Sequence, residues 1–189
     1  MEFFTTYRNT LEATLNKLDL AKVEQAAEWL REARDEGRQI FVCGNGGSAM
    51  TASHFVTDIV KGASFGRDKR FRAIALTDSL GTLTAYSNDV SYECVFVEQL
   101  KNFANPGDVV IAISGSGNSP NVLRAMEYAN SIGCKTIAMT GRDGGKLAPL
   151  AQVNILAAEP HMGRIEDVHM IVCHMLGYSF MDREKAVCA

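Results

Sequence analysis

The chain has 189 residues, of which 47% are hydrophobic and 22% are charged. A chain of this size can bury a complete core, so we expect one domain over residues 1–189. The net charge of -3 offers neither nucleic acid nor an anionic membrane the clustered positive charge that both require. No run of about 18 apolar residues occurs, and the start, MEFFTTYRNTLEATL, lacks the basic and apolar regions of a signal peptide, which predicts a cytoplasmic protein.

The cysteines share no CxxC spacing, and their number is odd: Cys43, Cys94, Cys134, Cys173 and Cys188. This pattern argues against both a disulfide framework and a cysteine zinc site. We expect reduced thiols, most of them buried.

The first two predicted elements are amphipathic helices within residues 1–37. Apolar residues recur three or four positions apart in both, first at Phe4, Tyr7, Leu11, Leu15 and Leu18, then at Val23, Ala26, Ala27, Leu30 and Ala33. Gly37 ends the second helix. We expect both helices to pack on the domain or on a neighbouring subunit.

From residue 39 onward, short apolar runs alternate with helical periodicity. Five runs predict strands: QIFVC (39–43), FRAIAL (71–76), VVIAI (109–113), TIAMT (136–140) and VNILA (153–157). Runs that are apolar on both faces are typical of a parallel sheet covered by helices on each side. We therefore predict an α/β fold, a three-layer αβα sandwich around a doubly wound, five-stranded parallel sheet.

Two later helices carry further signals. Ser119 and Pro120 supply an N-cap and a proline at the first position of one helix, which Gly133 ends. The last helix runs from about Arg164 to Glu184 and is apolar on more than one side, so part of it can pack on another subunit.

Two strand-to-helix junctions are rich in glycine and serine, Gly44–Ser48 (GNGGS) and Ser114–Ser119 (SGSGNS). Glycines let the backbone approach a ligand, and the amides at the following helix start attract an anion. Because ligands of open α/β sheets bind at the carboxyl ends of the strands, both loops are candidate phosphate sites. They can equally be plain turns, in which Gly and Ser are common.

The type of phosphate ligand is narrowed by what the loops lack. No Gly-Lys-Ser or Gly-Lys-Thr follows either loop, which argues against a P-loop ATPase. Gly44, Gly46 and Ala49 satisfy the dinucleotide pattern, but the acidic residue after the second strand, Asp78, lies well beyond the expected offset of about 20 residues. A nicotinamide enzyme remains an alternative. Hydroxyl-rich loops without a clamp lysine favour the single phosphate of a small polyhydroxylated molecule.

Polar residues at or near the strand ends are candidates for binding sugar hydroxyls: Asn45, Asp78 and Asn118. Asp78 can equally be the N-cap of the helix that follows it. Gly46 and Gly115 belong to the two loops, and we expect them to line the same site.

Histidines and carboxylates form a second constellation. His54 and Asp58 lie four residues apart on one helix, and Glu166 and His174 lie two turns apart on the last one. Two imidazoles and two carboxylates are ligands that Zn²⁺ accepts, and they also supply a base and an acid for proton transfer. There are two alternatives to a metal or catalytic site: His54 and Asp58 can form a surface ion pair, and His174 can be a hydrogen-bonded core histidine. His169 lies between Glu166 and His174 and is a further candidate.

The motifs GNGGS, SGSGNSPN, TGRDGGK and RIEDVHMIVCH, with the helix that bears His54 and Asp58, resemble the sugar isomerase (SIS) domain family over nearly the whole chain. Within that family they resemble the phosphoheptose isomerase branch. The resemblance implies conversion of sedoheptulose 7-phosphate to D-glycero-D-manno-heptose 7-phosphate, a step toward lipopolysaccharide heptose, by a homotetramer with active sites between subunits. The alternative function is a non-catalytic adaptor of the same fold, of the type that binds a replication initiator.

The resemblance also assigns roles to residues. It implies one Zn²⁺ per active site and phosphate binding by four serines: Ser48, Ser114, Ser116 and Ser119. His54 and His174 match metal ligands of the family. Asp58 stands where these isomerases usually have a glutamate that is both ligand and base. Glu166 stands where they usually have glutamine, and we expect it to contact the substrate as well as the metal. The expected reaction passes through an enediol, with Asp58 as the base and His174 as the acid.

Overall fold

The computed structural model describes residues 1–183. The predicted end of the last helix at Glu184 and the predicted thiol of Cys188 lie outside the described residues. Helices and strands follow one another as α1 (Glu2–Leu15), α2 (Leu20–Asp35), β1 (Gln39–Gly44), α3 (Gly47–Thr57), a π-helical turn (Asp58–Gly62), β2 (Arg72–Ala75), α4 (Leu80–Asp89), a 3-10 turn (Tyr92–Cys94), α5 (Val97–Phe103), β3 (Val109–Ser114), α6 (Pro120–Ser131), β4 (Lys135–Gly141), β5 (Val153–Ala157) and α7 (Met162–Arg183).

The sheet is parallel throughout, in the order β2-β1-β3-β4-β5. Because β2 and β3 flank β1 on opposite sides, the chain first builds toward one edge of the sheet and then toward the other. This is the topological switch point at which open α/β sheets bind ligands. The register pairs Gly44 with Ile113, so the loops that follow β1 and β3 begin side by side.

Buried apolar side chains cover both faces of the sheet. Along β3, Val109, Ile111 and Ile113 pack toward α2, α3 and α7, whereas Val110 and Ala112 pack toward α5 and α6. This alternation confirms the predicted three-layer αβα architecture and the five-stranded parallel sheet.

The edge strand β2 differs from the expectation that both faces of every strand are covered. Ile74 is 40% exposed, because its face of the sheet opens on a groove that Tyr86 and Phe103 also line. β2 is therefore half-buried, in contrast to β3, whose residues are all buried.

The two N-terminal helices form as predicted, but they bury different amounts of surface. α2 inserts its whole predicted apolar face into the core: Val23, Ala26, Ala27, Leu30 and Ala33. α1 lies along α7, where Leu11 and Leu15 are partly buried. Phe3 and Phe4 on α1 are 65% and 73% exposed. Leu18 packs in the core from the turn between the helices, not from the first helix.

Four of the cysteines are free and buried, as expected: Cys43, Cys94, Cys134 and Cys173. Burial raises the pKa of Cys43 to about 12. Burial, with the nearby charge of Asp108, raises the pKa of Cys134 to about 11. The thiols of Cys43 and Cys134 therefore stay protonated at neutral pH. Among residues 1–183, none of the helices combines the length and the apolar composition that a bilayer crossing requires.

Candidate active site

Helices α3 and α7 lie side by side and parallel, and they carry His54, Glu166 and His174. Residues that contact each other across the two helices are separated by nearly the same number of positions in the chain. These contacts join Gly47 to Glu166, His54 to His174 and Asp58 to Gly177. Glycine at these contacts lets the helices approach closely. A Cβ on Gly47 or Gly177 would lie 2.7 Å or 3.4 Å from the nearest atom of the opposite side chain. Both helices start at the carboxyl edge of the sheet, so this row of side chains leads away from the two loops.

The two glycine- and serine-rich loops enclose a cavity of about 290 Å³. It is lined by both loops and by the first turns of α7: Asn45, Gly46, Gly47, Ser48, Ile113, Ser114, Gly115, Ser116, Ser119, Met162 and Glu166. The four serines of the predicted phosphate site thus lie in one cavity, with the Oγ atoms of Ser114 and Ser119 3.4 Å apart. α3 and α6 both begin there, so the positive ends of two helix dipoles meet at the cavity.

The helix starts keep their donors available for a ligand. Gly46, the N-cap of α3, has no side chain with which to cap the helix, and Ser119, the N-cap of α6, makes no side-chain hydrogen bond to its own helix. The Ser119 hydroxyl is therefore not used for capping. A plain turn would use it there, so the arrangement favours an anion site over the alternative of simple turns.

A reciprocal amide pair fixes the orientation of Asn45 at the cavity. The Nδ2 atoms of Asn45 and Asn121 each donate to the Oδ1 of the other at 2.9 Å. The Tyr92 hydroxyl also donates to Oδ1 of Asn45, at 2.7 Å. One hydrogen of the Asn45 amide is left for a ligand. Sequence reasoning missed Asn121 and Tyr92, and the only signal for Asn121 was its place in the motif SGSGNSPN.

Two other predicted sugar-binding side chains lie outside this cavity. Asn118 donates to the carbonyl oxygen of Ser116 at 2.8 Å and accepts from a backbone N–H of the turn after β4 at 3.2 Å. It lines a neighbouring cavity of about 580 Å³, which shares Ser116 with the first. Asp78 accepts a hydrogen bond from the Ser53 hydroxyl and lines the groove of about 640 Å³ beside β2. The N-cap of α4 is Ser79, so the alternative prediction of Asp78 as N-cap is wrong, because Ser53 engages its carboxylate instead.

His54, Asp58 and His174 converge farther along the helix pair, about 9 Å of α3 beyond Ser48. Nε2 of His54 lies 3.2 Å from Nε2 of His174 and 3.4 Å from Oδ2 of Asp58. Nε2 of His174 lies 3.9 Å from the same oxygen. Oδ2 of Asp58 is buried and lacks a hydrogen-bond partner among the described residues. The structure therefore brings three of the four predicted metal ligands together.

The spacing of these three donors fits a tetrahedral metal ion. Bonds of about 2.0–2.1 Å from Zn²⁺ to nitrogen and oxygen separate neighbouring ligands by about 3.4 Å. The observed separations run from 3.2 to 3.9 Å. A cation at this point would also give the buried oxygen of Asp58 the partner that it lacks. Catalytic zinc sites commonly use three protein ligands and leave one position open.

The remaining two candidates on α7 lie elsewhere. The Glu166 carboxylate packs against Gly47 in the loop cavity, outside the cluster of three, and its role as a metal ligand stays a prediction. His169 is 1% exposed, and its Nε2 lies 3.1 Å from the carbonyl oxygen of Thr140. It is a hydrogen-bonded core histidine. That alternative does not describe His174, whose side chain is 43% exposed.

The backbone changes character where Asp58 enters the cluster. The α-helical hydrogen bonding of α3 ends at Thr57, and Asp58 begins the π-helical turn. Such turns are rare in proteins and frequently accompany functional sites. The edge-on ring of Tyr178, with its centroid 6.0 Å from that of His174, borders the cluster and was also missed from the sequence.

Several known proteins are similar to this chain in sequence and in fold. A family profile described as SIS domain matches residues 2–141. A probable phosphoheptose isomerase of Thermoplasma volcanium is 41% identical over 160 residues, which cover 84% of this chain and 81% of its own. A phosphoheptose isomerase of Helicobacter pylori is 38% identical over 173 residues, covering 92% and 89%. The structure of a phosphoheptose isomerase from Neisseria gonorrhoeae matches with a TM-score of 0.84 and 32% identity over 95% of both chains. The chain belongs to the SIS domain family and, within it, to the phosphoheptose isomerases.

Proposed function

We propose that the chain is an aldose–ketose isomerase that interconverts sedoheptulose 7-phosphate and D-glycero-D-manno-heptose 7-phosphate. The observation that carries this proposal is the position of a hydroxyl-lined cavity and a His-Asp-His cluster along one helix pair. The names of the relatives, phosphoheptose isomerases at about 40% identity over most of the chain, support this choice of substrate.

In the proposed complex the phosphate lies between the two loops. The hydroxyls of four residues and the starts of α3 and α6 would hold it: Ser48, Ser114, Ser116 and Ser119. The free hydrogen of the Asn45 amide would bind a sugar hydroxyl. The sugar chain then extends along α3 and α7 toward His54 and His174. The six residues from Ser48 to His54 span about 9 Å of helix, the length scale of an extended sugar phosphate.

Isomerisation moves one proton between neighbouring carbons and one between their oxygens. In the direction from ketose to aldose, Asp58 takes the proton from C1 and returns it to C2. His174 donates a proton to the oxygen on C2, which gives the enediol, and then takes the proton from the oxygen on C1. Asp58 thus returns the proton that it took and His174 regains the proton that it gave, so both side chains end in their starting states and no co-reactant is consumed.

The side chains of His54, Asp58 and His174 would hold one Zn²⁺ per active site, with Glu166 as a further predicted ligand. When bound, the ion supplies a Lewis acid that stabilises negative charge on the reacting oxygens. Asp58 is one methylene shorter than glutamate, so either the reacting carbon lies closer to α3, or the metal role is kept while turnover or substrate choice changes.

The proposal extends to the assembly and its place in the cell. Residues 1–189 form a single SIS domain, four copies form a tetramer with active sites between subunits, and the protein works in the cytoplasm. The exposed aromatic side chains of Phe3 and Phe4 on α1 support an apolar contact between subunits.

The test is to incubate purified protein with sedoheptulose 7-phosphate and to follow aldose formation with and without a chelator. We expect turnover that the chelator abolishes and added Zn²⁺ restores. His174→Ala should lower turnover by two to three orders of magnitude, because a well-placed donor to the developing oxyanion is worth about 3–4 kcal/mol. In chelator-treated protein its unfolding midpoint should match that of the wild type, since His174 is partly exposed and no metal-linked stabilisation is then lost.

Wild-type turnover in purified His174→Ala would overturn the catalytic assignment. An adaptor of the same fold needs only the two loops, so it would bind the sugar phosphate without forming aldose and without a metal requirement. Binding without turnover at any metal concentration would therefore favour the adaptor.

A further inference from the structure

A carboxylate lies in the same cavity as the serine hydroxyls. Glu166 lines the cavity from α7, and a Cβ added to Gly47 would lie 2.7 Å from Oε1 and 2.9 Å from Oε2. The carboxylate is thus packed directly against the first turn of α3. It is half-buried. Among the side chains that the structure describes, it has neither a hydrogen-bond donor nor a cation as partner.

An ionised carboxylate in this position selects among the groups that a ligand brings to it. It accepts hydrogen bonds but donates none, so sugar hydroxyls satisfy it. A second anionic group on the ligand would be repelled, and the repulsion is weakly screened where water is partly excluded. The carboxylate also shares the positive end of the α3 dipole with any bound phosphate.

The position of Glu166 on α7 indicates which part of the ligand it meets. Met162, one turn earlier, lines the loop cavity, and His174, two turns later, belongs to the cluster. A sugar phosphate that joins the two sites must pass Glu166 between its phosphate and its carbonyl group.

We propose that Glu166 is a specificity residue, which accepts hydrogen bonds from hydroxyls near the phosphate end of the sugar chain and excludes ligands with a second negative charge there. The inference rests on the proposed function and deepens it, and it gives the Glu166 carboxylate to the sugar chain in place of the predicted role as a metal ligand. A glutamine at this position would keep the shape, accept one hydrogen bond and donate another, and exert no repulsion. Glu166→Gln therefore separates the role of the charge from that of the side-chain volume.

The test measures binding by calorimetry to chelator-treated protein, so that a metal ion does not contribute. Three probes are used: inorganic phosphate, glycerol 3-phosphate and 3-phosphoglycerate. Glycerol 3-phosphate and 3-phosphoglycerate have the same length, but the first ends in a hydroxymethyl group and the second in a carboxylate. Both are too short to reach the cluster of His54, Asp58 and His174. Glu28→Gln is the matched control, because Glu28 is exposed on α2 and its substitution removes the same charge from another surface.

We expect the wild type to bind glycerol 3-phosphate at least tenfold more tightly than 3-phosphoglycerate. In Glu166→Gln, 3-phosphoglycerate should gain roughly tenfold in affinity, the scale of one like charge in a partly solvated site. Glycerol 3-phosphate should lose affinity several-fold, because its hydroxyls lose a charged acceptor. The affinities of the two probes should thus change in opposite directions, whereas a general loosening of the cavity would weaken both. Glu28→Gln should leave every affinity unchanged.

Two outcomes would overturn the inference, and they are distinguishable. If the wild type binds inorganic phosphate but Glu166→Gln leaves the ratio of the other two affinities unchanged, the specificity role is wrong while the phosphate site stands. If the wild type binds none of the three probes, the loops are not a phosphate site, and the proposed function fails together with this inference.

Discussion

At the scale of single residues, two histidines on α7 show how surroundings decide what a side chain does. His169 and His174 lie five positions apart on one helix. His169 is buried, and burial lowers its pKa to about 4. His174 is partly exposed and meets the donors of His54 and Asp58. The first histidine is therefore a packing residue that stays neutral, and only the second is placed to exchange protons with a ligand.

The buried histidine predicts a loss of stability in mild acid. In the unfolded chain His169 takes up a proton near its ordinary pKa of 6.5, whereas in the folded chain the pKa is about 4. The unfolded state thus binds more protons between these values, so the contribution of His169 is fully present above pH 6.5 and is lost as the pH falls toward 4. The full loss is about 3 kcal/mol. Urea unfolding at several pH values between 8 and 4 measures it.

His169→Gln is the comparison variant, because an amide N–H can still donate to the carbonyl oxygen of Thr140 but does not titrate. The difference in unfolding free energy between the variant and the wild type should shrink as the pH falls. Since all other titrating groups are common to both proteins, their contributions cancel. A difference that does not change with pH would mean that His169 has the same pKa in the folded and the unfolded chain, which would contradict the prediction.

At the scale of elements, the second phosphate loop depends on the turn that follows β4. Leu147 N–H donates to the carbonyl oxygen of Gly117 at 2.9 Å, and the turn also contacts Asn118. Gly117 has a φ of +63°, and a Cβ there would lie 2.1 Å from the carbonyl oxygen of Gly144. The loop and the turn therefore fit together only if Gly117 has no side chain.

Gly117→Ala should lower both stability and ligand affinity. A left-handed backbone costs an alanine roughly 1–2 kcal/mol, and forcing a methyl group into packed backbone adds about 1–3 kcal/mol. We expect the free energy of unfolding to fall by about 2–5 kcal/mol, and inorganic phosphate to bind more weakly because the loop must shift. Gly81→Ala is the control, since Gly81 lies on α4 with no atom within 4 Å of its added Cβ. It should be neutral or slightly stabilising, and equal effects of the two substitutions would contradict the argument.

The elements themselves were the most predictable part of the molecule, because their signals are local. All five apolar runs became strands with ends within one or two residues of the prediction. The two loops could be placed together because parallel strands end at the same edge of a sheet. Long-range contacts were harder. The pairing of Asn45 with Asn121 joins residues 76 positions apart, and neither amide signals the other in the sequence.

The candidate site shows the same division between local and long-range information. His54 and Asp58 are four residues apart in the sequence, and this spacing correctly predicted that the two side chains lie on the same face. Whether Glu166 turns toward that pair or toward the loops depends on the contact of α7 with Gly47, which leaves room for the carboxylate in the cavity. Helical periodicity fixes the face on which a residue lies, but it does not fix which neighbour fills the space beside it.

At the scale of the whole molecule, α1 carries a pair of adjacent, exposed aromatic side chains. Phe3 and Phe4 are both more than half exposed, and their rings meet edge to face with centroids 5.6 Å apart. α1 is fixed to α7 one turn farther along, where the Tyr7 hydroxyl donates to the carboxylate of Asp167 at 2.6 Å. α1 thus presents an aromatic pair on a firmly held helix, as an interface between subunits requires.

The final prediction concerns the assembly. Sedimentation should give the wild type about four times the chain mass of 20.6 kDa. The double substitution Phe3→Glu and Phe4→Glu should lower that mass, because burying two carboxylates in an apolar contact is costly. Phe65→Glu is the control, since Phe65 is 75% exposed outside α1. The dissociated chain should still bind Zn²⁺, because His54, Asp58 and His174 converge within one chain. Loss of metal binding on dissociation would instead mean that a neighbouring subunit supplies a necessary ligand.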